Sequence, residues 1–173
     1  MTEAATQDRA AFVARFGGVF EHSPWVAEAA FDAMQQEGGL PTEPWTAEAL
    51  HGAMAAAMRA GSEDQKRALI QAHPDLAGRL ARAGRLTADS TREQASAGLD
   101  LLSDAERARF TDLNERYKAK FGMPFIMAVK GRTKGEIQAA FESRLANDPA
   151  AEFRTALEQI ERIALLRLKE MLP

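Results

Sequence analysis

The chain has 173 residues, of which 46% are hydrophobic and 27% are charged, proportions typical of one soluble globular domain with a single core. Its formal net charge of −3 provides no field for a polyanion, so nucleic acid is not an expected partner. No apolar run approaches the roughly 20 residues of a membrane span, and the lack of cysteine excludes disulfides, a thiol nucleophile and Cys-ligated zinc.

The N-terminal region is predicted to contain two helices. Its first ten residues, MTEAATQDRA, lack the basic and apolar regions of a secretory signal, so we expect a cytoplasmic protein. Apolar residues then recur at three- and four-residue spacing on one face of a first helix. They are Phe12, Val13, Phe16, Val19 and Phe20. A second helix is predicted with Ser23 as its N-cap and Pro24 as its first residue, and it ends at Gly38–Gly39.

The following sequence predicts a third helix from about Thr46 to Ala60 and a fourth that runs into His73–Pro74. The helical pattern weakens between residues 75 and 88, which predicts a loop or a short helical turn. Four helix starts have the capping-box pattern, in which a Ser or Thr is followed by Glu or Gln three residues later. They begin at Ser62, Ser90, Ser103 and Thr133.

Near the C-terminus, residues 125–129 are apolar but too few for a helix, and a final helix is predicted from about Pro149 to Met171. We therefore expect one all-α domain over residues 1–173, a bundle of about seven to eight helices with a short extended segment near residues 122–129.

His73 directly precedes Pro74, and the residue before a proline is driven out of helical backbone conformation. One interpretation is a helix C-terminus, where a histidine complements the helix dipole and proline blocks continuation. The other is an acid–base residue held at a corner, because histidine changes charge near neutral pH without special tuning. The three histidines show no HxxxH spacing, so a metal site is not suggested.

Ser90 and Glu93 fit a capping box, but small residues surround the adjacent Gln94. A helix N-terminus with free N–H groups and small neighbours also suits a polar, amide-like ligand. Residues 125–129 leave backbone groups that no helix satisfies, and a flat ligand rich in amides would supply partners. Capping and core filling, respectively, remain the structural alternatives for these two stretches.

Steps of 100° per residue place Arg167 inside the apolar stripe of the last helix. The stripe consists of Phe153, Leu157, Ile160, Ile163, Ala164, Leu168 and Met171. An arginine facing a core is costly unless it is paired, because guanidinium stays charged. Arg167 is expected to extend to solvent, to pair with a buried carboxylate, or to bind an anionic ligand.

Four motifs together carry a family resemblance over nearly the whole chain. They are HPDLAGR at 73–79, S-x-x-EQ-x-x-AGL at 90–99, FGMPFIMAVKGRTKGEI at 121–137 and IALLRL at 163–168. In this order they resemble the 2-oxo-4-hydroxy-4-carboxy-5-ureidoimidazoline (OHCU) decarboxylase family. The resemblance implies an all-α fold, a homodimer, neither cofactor nor metal, and a role in the degradation of urate to allantoin.

The resemblance also implies site residues. His73 is the implied catalytic histidine, and we take Glu93 as its catalytic companion. The implied substrate contacts are Pro74, Ser90, Thr91, Arg92, Glu93, Gln94, Phe125, Ile126, Met127, Ala128, Val129 and Arg167. Within the run that starts at Ser90, the second and third residues are carried over only as backbone contacts.

The implied substrate, OHCU, has its carboxylate next to a C=N bond that can absorb the electrons left by CO₂, so no cofactor is required. We expect His73 to protonate one face and give (S)-allantoin. The alternative from another class is a non-catalytic helical module that binds a small metabolite or a partner helix, and it predicts that Arg167 pairs internally. A histidine-dependent hydrolase is disfavoured because no nucleophile elbow is evident.

Overall fold

The computed structural model describes residues 3–39, 45–75 and 102–172. These residues form seven helices and no strand, which confirms the all-α fold. The helices are α1 (Glu3–Phe16), α2 (Trp25–Gln36), α3 (Ala47–Ala60), α4 (Glu63–Ala72), α5 (Asp104–Phe121), α6 (Lys134–Arg144) and α7 (Pro149–Met171). The helix predicted to begin at Ser90 lies outside the described residues.

The chain divides into two compact units. Unit 1 consists of Met1–Ala72 and Glu161–Pro173, and unit 2 consists of His73–Ile160. Helix α7 therefore contributes residues to both units. The expectation of a single domain over residues 1–173 stays a prediction.

In unit 1, α2 packs against both α1 and α3. The aromatic ring of Phe12 is central to this packing. Its centroid lies 5.0 Å from that of Phe16, 5.5 Å from that of Phe31 and 5.8 Å from that of Trp45, in tilted or edge-on arrangements. Such geometries place the electron-poor ring edge against an electron-rich face, so they stabilise the core beyond simple burial.

Two details of unit 1 differ from the sequence predictions. Val19 and Phe20 are buried, but they lie beyond the end of α1 at Phe16, because two glycines follow and glycine is a poor helix former. Ser23 does not cap α2. Its hydroxyl donates instead to the backbone carbonyl two residues earlier, at 2.9 Å, and Pro24 occupies the N-cap position without a side-chain hydrogen bond. A serine can bond its own local backbone as readily as a helix start, so the capping pattern was misleading here.

In unit 2, residues 124–129 follow α5 and form no helix, turn or bend, which confirms the predicted interruption. Helix α5 ends because Gly122 adopts a left-handed conformation, with φ of 65°, and donates its N–H to the carbonyl of Lys118. The ring of Phe125 then stacks on Phe141 of α6, with centroids 3.7 Å apart, and meets the edge of Tyr117 of α5 at 5.2 Å. The extended segment is therefore part of the core of unit 2.

The capping boxes predicted at Ser62, Ser103 and Thr133 are all formed. At the start of α5, Oε1 of Glu106 accepts the backbone N–H of Ser103 at 3.1 Å, and Nζ of Lys134 lies 3.1 Å from Oε2. The hydrogen bond from the Ser103 N–H holds the pKa of Glu106 below its usual range, and the ammonium group of Lys134 contributes to the same shift.

This cap makes stability depend on pH. Because the folded-state pKa of Glu106 is depressed, its charge stabilises the fold above the unfolded-state value of about 4.3, and this contribution is lost as the pH falls through the folded-state pKa. We expect Glu106→Gln to unfold at a lower urea concentration than the parent chain at neutral pH, with the difference shrinking below about pH 4. Glu115→Gln, on the same helix, is the control. A difference that stays constant with pH would contradict the assignment.

Candidate functional site

Some of the predicted site residues lie in each unit. His73, Pro74 and the run Phe125–Val129 belong to unit 2, and Arg167 belongs to unit 1. The remaining five, Ser90, Thr91, Arg92, Glu93 and Gln94, lie outside the described residues. Convergence of all these residues on one cleft stays a prediction.

His73 directly follows the last residue of α4, so its predicted place at a non-helical corner is confirmed. The side chain is buried, with 7% of its surface exposed. Two residues later, Oδ2 of Asp75 accepts a hydrogen bond from Nζ of Lys118 on α5 at 3.0 Å. The corner is therefore attached to α5 by an ion pair next to Pro74.

Two buried acceptors belong to this corner and to α5. Oδ1 of Asp75 and Oδ1 of Asn114 have no hydrogen-bond partner among the described residues. Asn114 lies one helical turn before Lys118, so both project from the same side of α5. A buried acceptor without a donor is costly, and these two oxygens can accept N–H or O–H groups.

The run Phe125–Val129 is held by side chains from two helices. Nη1 of Arg144 donates to the carbonyl of Ile126 at 2.6 Å, and Oε1 of Gln159 accepts the N–H of Ala128 at 3.0 Å. Met127 and Ala128 are half-buried, whereas the other three residues of the run are buried. The central part of the run is thus both fixed and accessible.

Arg144 belongs to a buried polar network centred on Glu152, the side chain of which is fully buried. Glu152 accepts hydrogen bonds from the Tyr117 hydroxyl at 2.5 Å, from Nε of Arg144 at 2.6 Å and from Nδ2 of Asn147 at 3.0 Å. Burial, together with the hydrogen bond to Glu152, raises the pKa of Tyr117. The site residues predicted from the sequence did not include Glu152, Arg144 or Gln159.

Arg167 pairs with a buried carboxylate, one of its three predicted states. Its Nη1 lies 2.8 Å from Oε2 of Glu21 and 3.2 Å from the carbonyl of Val19. Only 3% of Arg167 and 1% of Glu21 is exposed, so the prediction that Arg167 extends to solvent is wrong. Internal pairing is also what the non-catalytic alternative predicts, whereas a contact between Arg167 and a ligand stays a prediction.

Glu21 reaches Arg167 from a strained turn between α1 and α2. The next residue, His22, has a φ of 47°, a left-handed conformation that is uncommon outside glycine. Nε2 of His22 lies 3.9 Å from Oε1 of Glu21, and most of the His22 side chain is exposed. The unusual backbone at His22 therefore accompanies an inward-facing Glu21, and strained backbone of this kind is a recurrent feature of functional sites.

The buried stripe of α7 is shifted slightly from its predicted position. Ile160, Ile163, Ala164 and Leu168 are buried with Arg167 as predicted. Phe153 and Leu157 are only half-buried. Met171 is 40% exposed, so its assignment to the stripe is wrong, because the buried face continues from Leu168 to Leu172, four residues later.

None of the helices in the described residues has both the length and the apolar character that a membrane span requires. In the same part of the chain, no three His, Asp or Glu side chains form a group that could hold a metal ion.

Comparison with known proteins gives consistent matches. The family model for OHCU decarboxylase matches residues 5–169. The 2-oxo-4-hydroxy-4-carboxy-5-ureidoimidazoline decarboxylase of Halalkalicoccus jeotgali is 41% identical, over 95% of this chain and 86% of that protein. A uric acid degradation bifunctional protein of a Bacillus species is 38% identical, over 92% of this chain and 30% of that longer protein.

A solved structure agrees with these matches. The crystal structure of an (S)-allantoin synthase superposes with a TM-score of 0.73 at 34% sequence identity, covering 97% of this chain and 52% of that one. This chain thus spans about half the length of the protein in that crystal. The class defined by these matches is that of the carboxy-lyases, enzymes that remove a carboxyl group. Within that class, the chain belongs to the OHCU decarboxylase family.

The pairing of Glu21 with Arg167 predicts a large effect on stability. Glu21→Ala removes a buried carboxylate that lies 2.8 Å from the buried Arg167 guanidinium, so we expect the free energy of unfolding to fall by about 3–5 kcal/mol. Asp32→Ala is the matched control, because it removes a carboxylate that pairs with Arg9 on the surface, where a pair contributes about 0–1 kcal/mol. Urea denaturation measures the free energy of unfolding of both variants. Equal decreases would contradict the larger stabilising role of the buried Glu21 pair.

Proposed function

We propose that this chain catalyses the cofactor-free decarboxylation of OHCU to (S)-allantoin during the degradation of urate, and that it acts as a homodimer in the cytoplasm. The observation that carries this proposal is the family match over residues 5–169. The names of the relatives, which refer to OHCU decarboxylation, uric acid degradation and (S)-allantoin synthesis, support the substrate and the product.

The reaction has a simple electron balance. The bond between the ring carbon and the carboxylate breaks, CO₂ leaves, and the electron pair of that bond stays on the ring. That pair forms a C=C bond, the electrons of the neighbouring C=N bond move to its nitrogen, and the nitrogen takes one proton from the surrounding water. When the hydroxyl group loses its proton to become a carbonyl, the C=C electrons take a proton at the adjacent carbon. That carbon becomes the stereocentre of allantoin.

His73 is the proposed acid–base residue for this proton transfer. Its burial at a corner fixed to α5 through Asp75 and Lys118 supports the role, because a proton donor must be positioned to act on one face. Glu93 is proposed to hold the substrate hydroxyl beside His73. Proton delivery from one side yields a single enantiomer, whereas solvent protonation yields both.

The run Phe125–Val129 is proposed to bind the flat, amide-rich part of the substrate. In an extended chain, the N–H and C=O of one residue point to the same side, and those of its neighbours point to the opposite side. Arg144 and Gln159 take up the Ile126 carbonyl and the Ala128 N–H on one side. The N–H and C=O of Met127 then point to the other side, where one ureido or ring amide can exchange two hydrogen bonds with them.

The other proposed contacts complete the site. Arg167 and Gln94 bind the ureido and ring groups, and Pro74 and the run 90–92 line the site, Thr91 and Arg92 through their backbone. The paired state of Arg167 supports contact with uncharged groups, because Glu21 already balances its charge. The same pairing is the observation that favours the second candidate, a non-catalytic module that binds a small metabolite, and turnover separates the two.

His73→Ala provides the decisive test. We expect the rate of stereospecific allantoin formation to fall by about 10²–10⁴-fold, because general acid–base catalysis is typically worth that factor. OHCU is generated in place from urate, and the optical activity of the product is followed by circular dichroism. Thermal unfolding of the variant should stay close to that of the parent chain.

His51→Ala is the control, since His51 is a half-buried histidine whose ring nitrogen bonds the Glu161 carbonyl at 2.8 Å. Its activity should match that of the parent chain. Full activity in folded His73→Ala would contradict the acid–base role. Racemic product at the uncatalysed rate from the parent chain would contradict the decarboxylase function itself and favour the binding module.

A further inference from the structure

Within the part of the chain that the structure describes, the backbone of residues 124–129 makes almost no hydrogen bonds to other backbone groups. Among the described residues, the backbone-to-backbone hydrogen bond made by this segment is that between the Val129 carbonyl and the N–H of Arg132. The segment is not helical, and residues 3–39, 45–75 and 102–172 contain no strand that could pair with it. Side chains must therefore set the direction in which its N–H and C=O groups point.

Arg144 fixes the segment as part of the core. Besides its bond to the Ile126 carbonyl, its guanidinium lies 4.3 Å from the ring centroid of Phe125 and pairs with the buried Glu152. Any substitution of Arg144 leaves Glu152 buried without its counter-ion, so a loss of activity there would not separate positioning from folding.

Gln159 also fixes the segment, but its side chain is uncharged and, in the described part of the chain, pairs with no buried ion. It is half-buried on α7, and its amide oxygen accepts the N–H of Ala128 at 3.0 Å across 31 positions of sequence. Because a backbone N–H is only a donor, this bond assigns the oxygen of the Gln159 amide to Ala128 and turns its NH₂ group away. The bond holds the peptide group that directly follows Met127.

We propose that Gln159 is a positioning residue for substrate binding, acting through the Ala128 N–H to direct the Met127 N–H and C=O toward the ligand. This inference rests on the proposed function, in which residues 125–129 bind the substrate. Gln159 itself touches no reacting atom in this scheme. It orients the N–H and C=O of Met127. The two hydrogen bonds that these groups make to the ligand are equally strong in the ground state and in the transition state.

The test removes or keeps the acceptor at position 159. Gln159→Met retains the length of the side chain without an acceptor, Gln159→Ala removes it without adding bulk, and Gln159→Glu keeps an oxygen in place. With OHCU generated in place from urate, we expect KM to rise about three- to tenfold in the first two variants, the equivalent of one hydrogen bond. We expect kcat to stay within about twofold, because binding lost equally in both states raises KM alone.

Gln159→Glu should restore KM to near the parent value, a rescue that a packing role does not predict. The matched control is Gln138→Met, which removes a half-buried glutamine that donates to Glu142, four residues later on the same helix, and its KM should not change. Two variants remove the acceptor, so either one that folds is sufficient. Exchange of the Ala128 amide hydrogen, followed by NMR, should accelerate in the variants without an acceptor.

The outcomes separate this inference from the proposed function. If the parent chain turns over OHCU while folded Gln159→Met or Gln159→Ala keeps the parent KM, the positioning role is overturned and the decarboxylase function stands. A fall in kcat without a rise in KM, or no rescue by Gln159→Glu, also overturns it. If the parent chain does not turn over OHCU, the proposed function fails and this inference fails with it.

Discussion

A carboxylate without access to water has to be matched by donors, and among the described residues of unit 2 this constraint acts on Glu152, whose side chain is fully buried. Its donors include Arg144, which also bonds the carbonyl of Ile126. The interaction that makes the buried charge tolerable is therefore the one that fixes the extended segment. Breaking it would cost about 3–5 kcal/mol. The stability of this core and the geometry of residues 125–129 therefore share one ion pair, that of Arg144 with Glu152.

Unit 1 meets the same constraint with Glu21 and Arg167. The pairing has a chemical meaning for a decarboxylase, because the reacting carboxylate leaves as neutral CO₂. An unbalanced guanidinium bound to that carboxylate would stabilise the reactant more than the transition state and would slow the reaction. An arginine whose charge Glu21 already balances is a hydrogen-bond donor suited to uncharged ureido and ring groups instead.

The sequence predicted what is encoded locally, such as the cap at Thr133 and the burial of Arg167 in the stripe of α7. The prediction that Ser23 caps α2 was wrong because two local hydrogen bonds compete for its hydroxyl, and sequence spacing alone does not show which of them forms. The steps of 100° per residue that place Arg167 on the buried face of α7 also place Glu152 there, four residues before Ala156. An acidic residue in the first turn of a helix is equally explained by its interaction with the helix dipole, so this spacing did not single out Glu152. Gln159 carried no such signal, because its partner is a backbone group distant in sequence.

The proposed recognition edge of main-chain atoms would have an evolutionary consequence at Met127 and Ala128. The hydrogen bonds of such an edge do not depend on which side chains its residues carry, so both positions would be free to change without altering what is recognised. Proline is the exception, since it lacks the N–H that each position uses. In this proposal, selection for ligand identity would fall on residues such as Gln159 that orient the backbone, while the side chains of the edge would remain available to adjust the shape of the binding site.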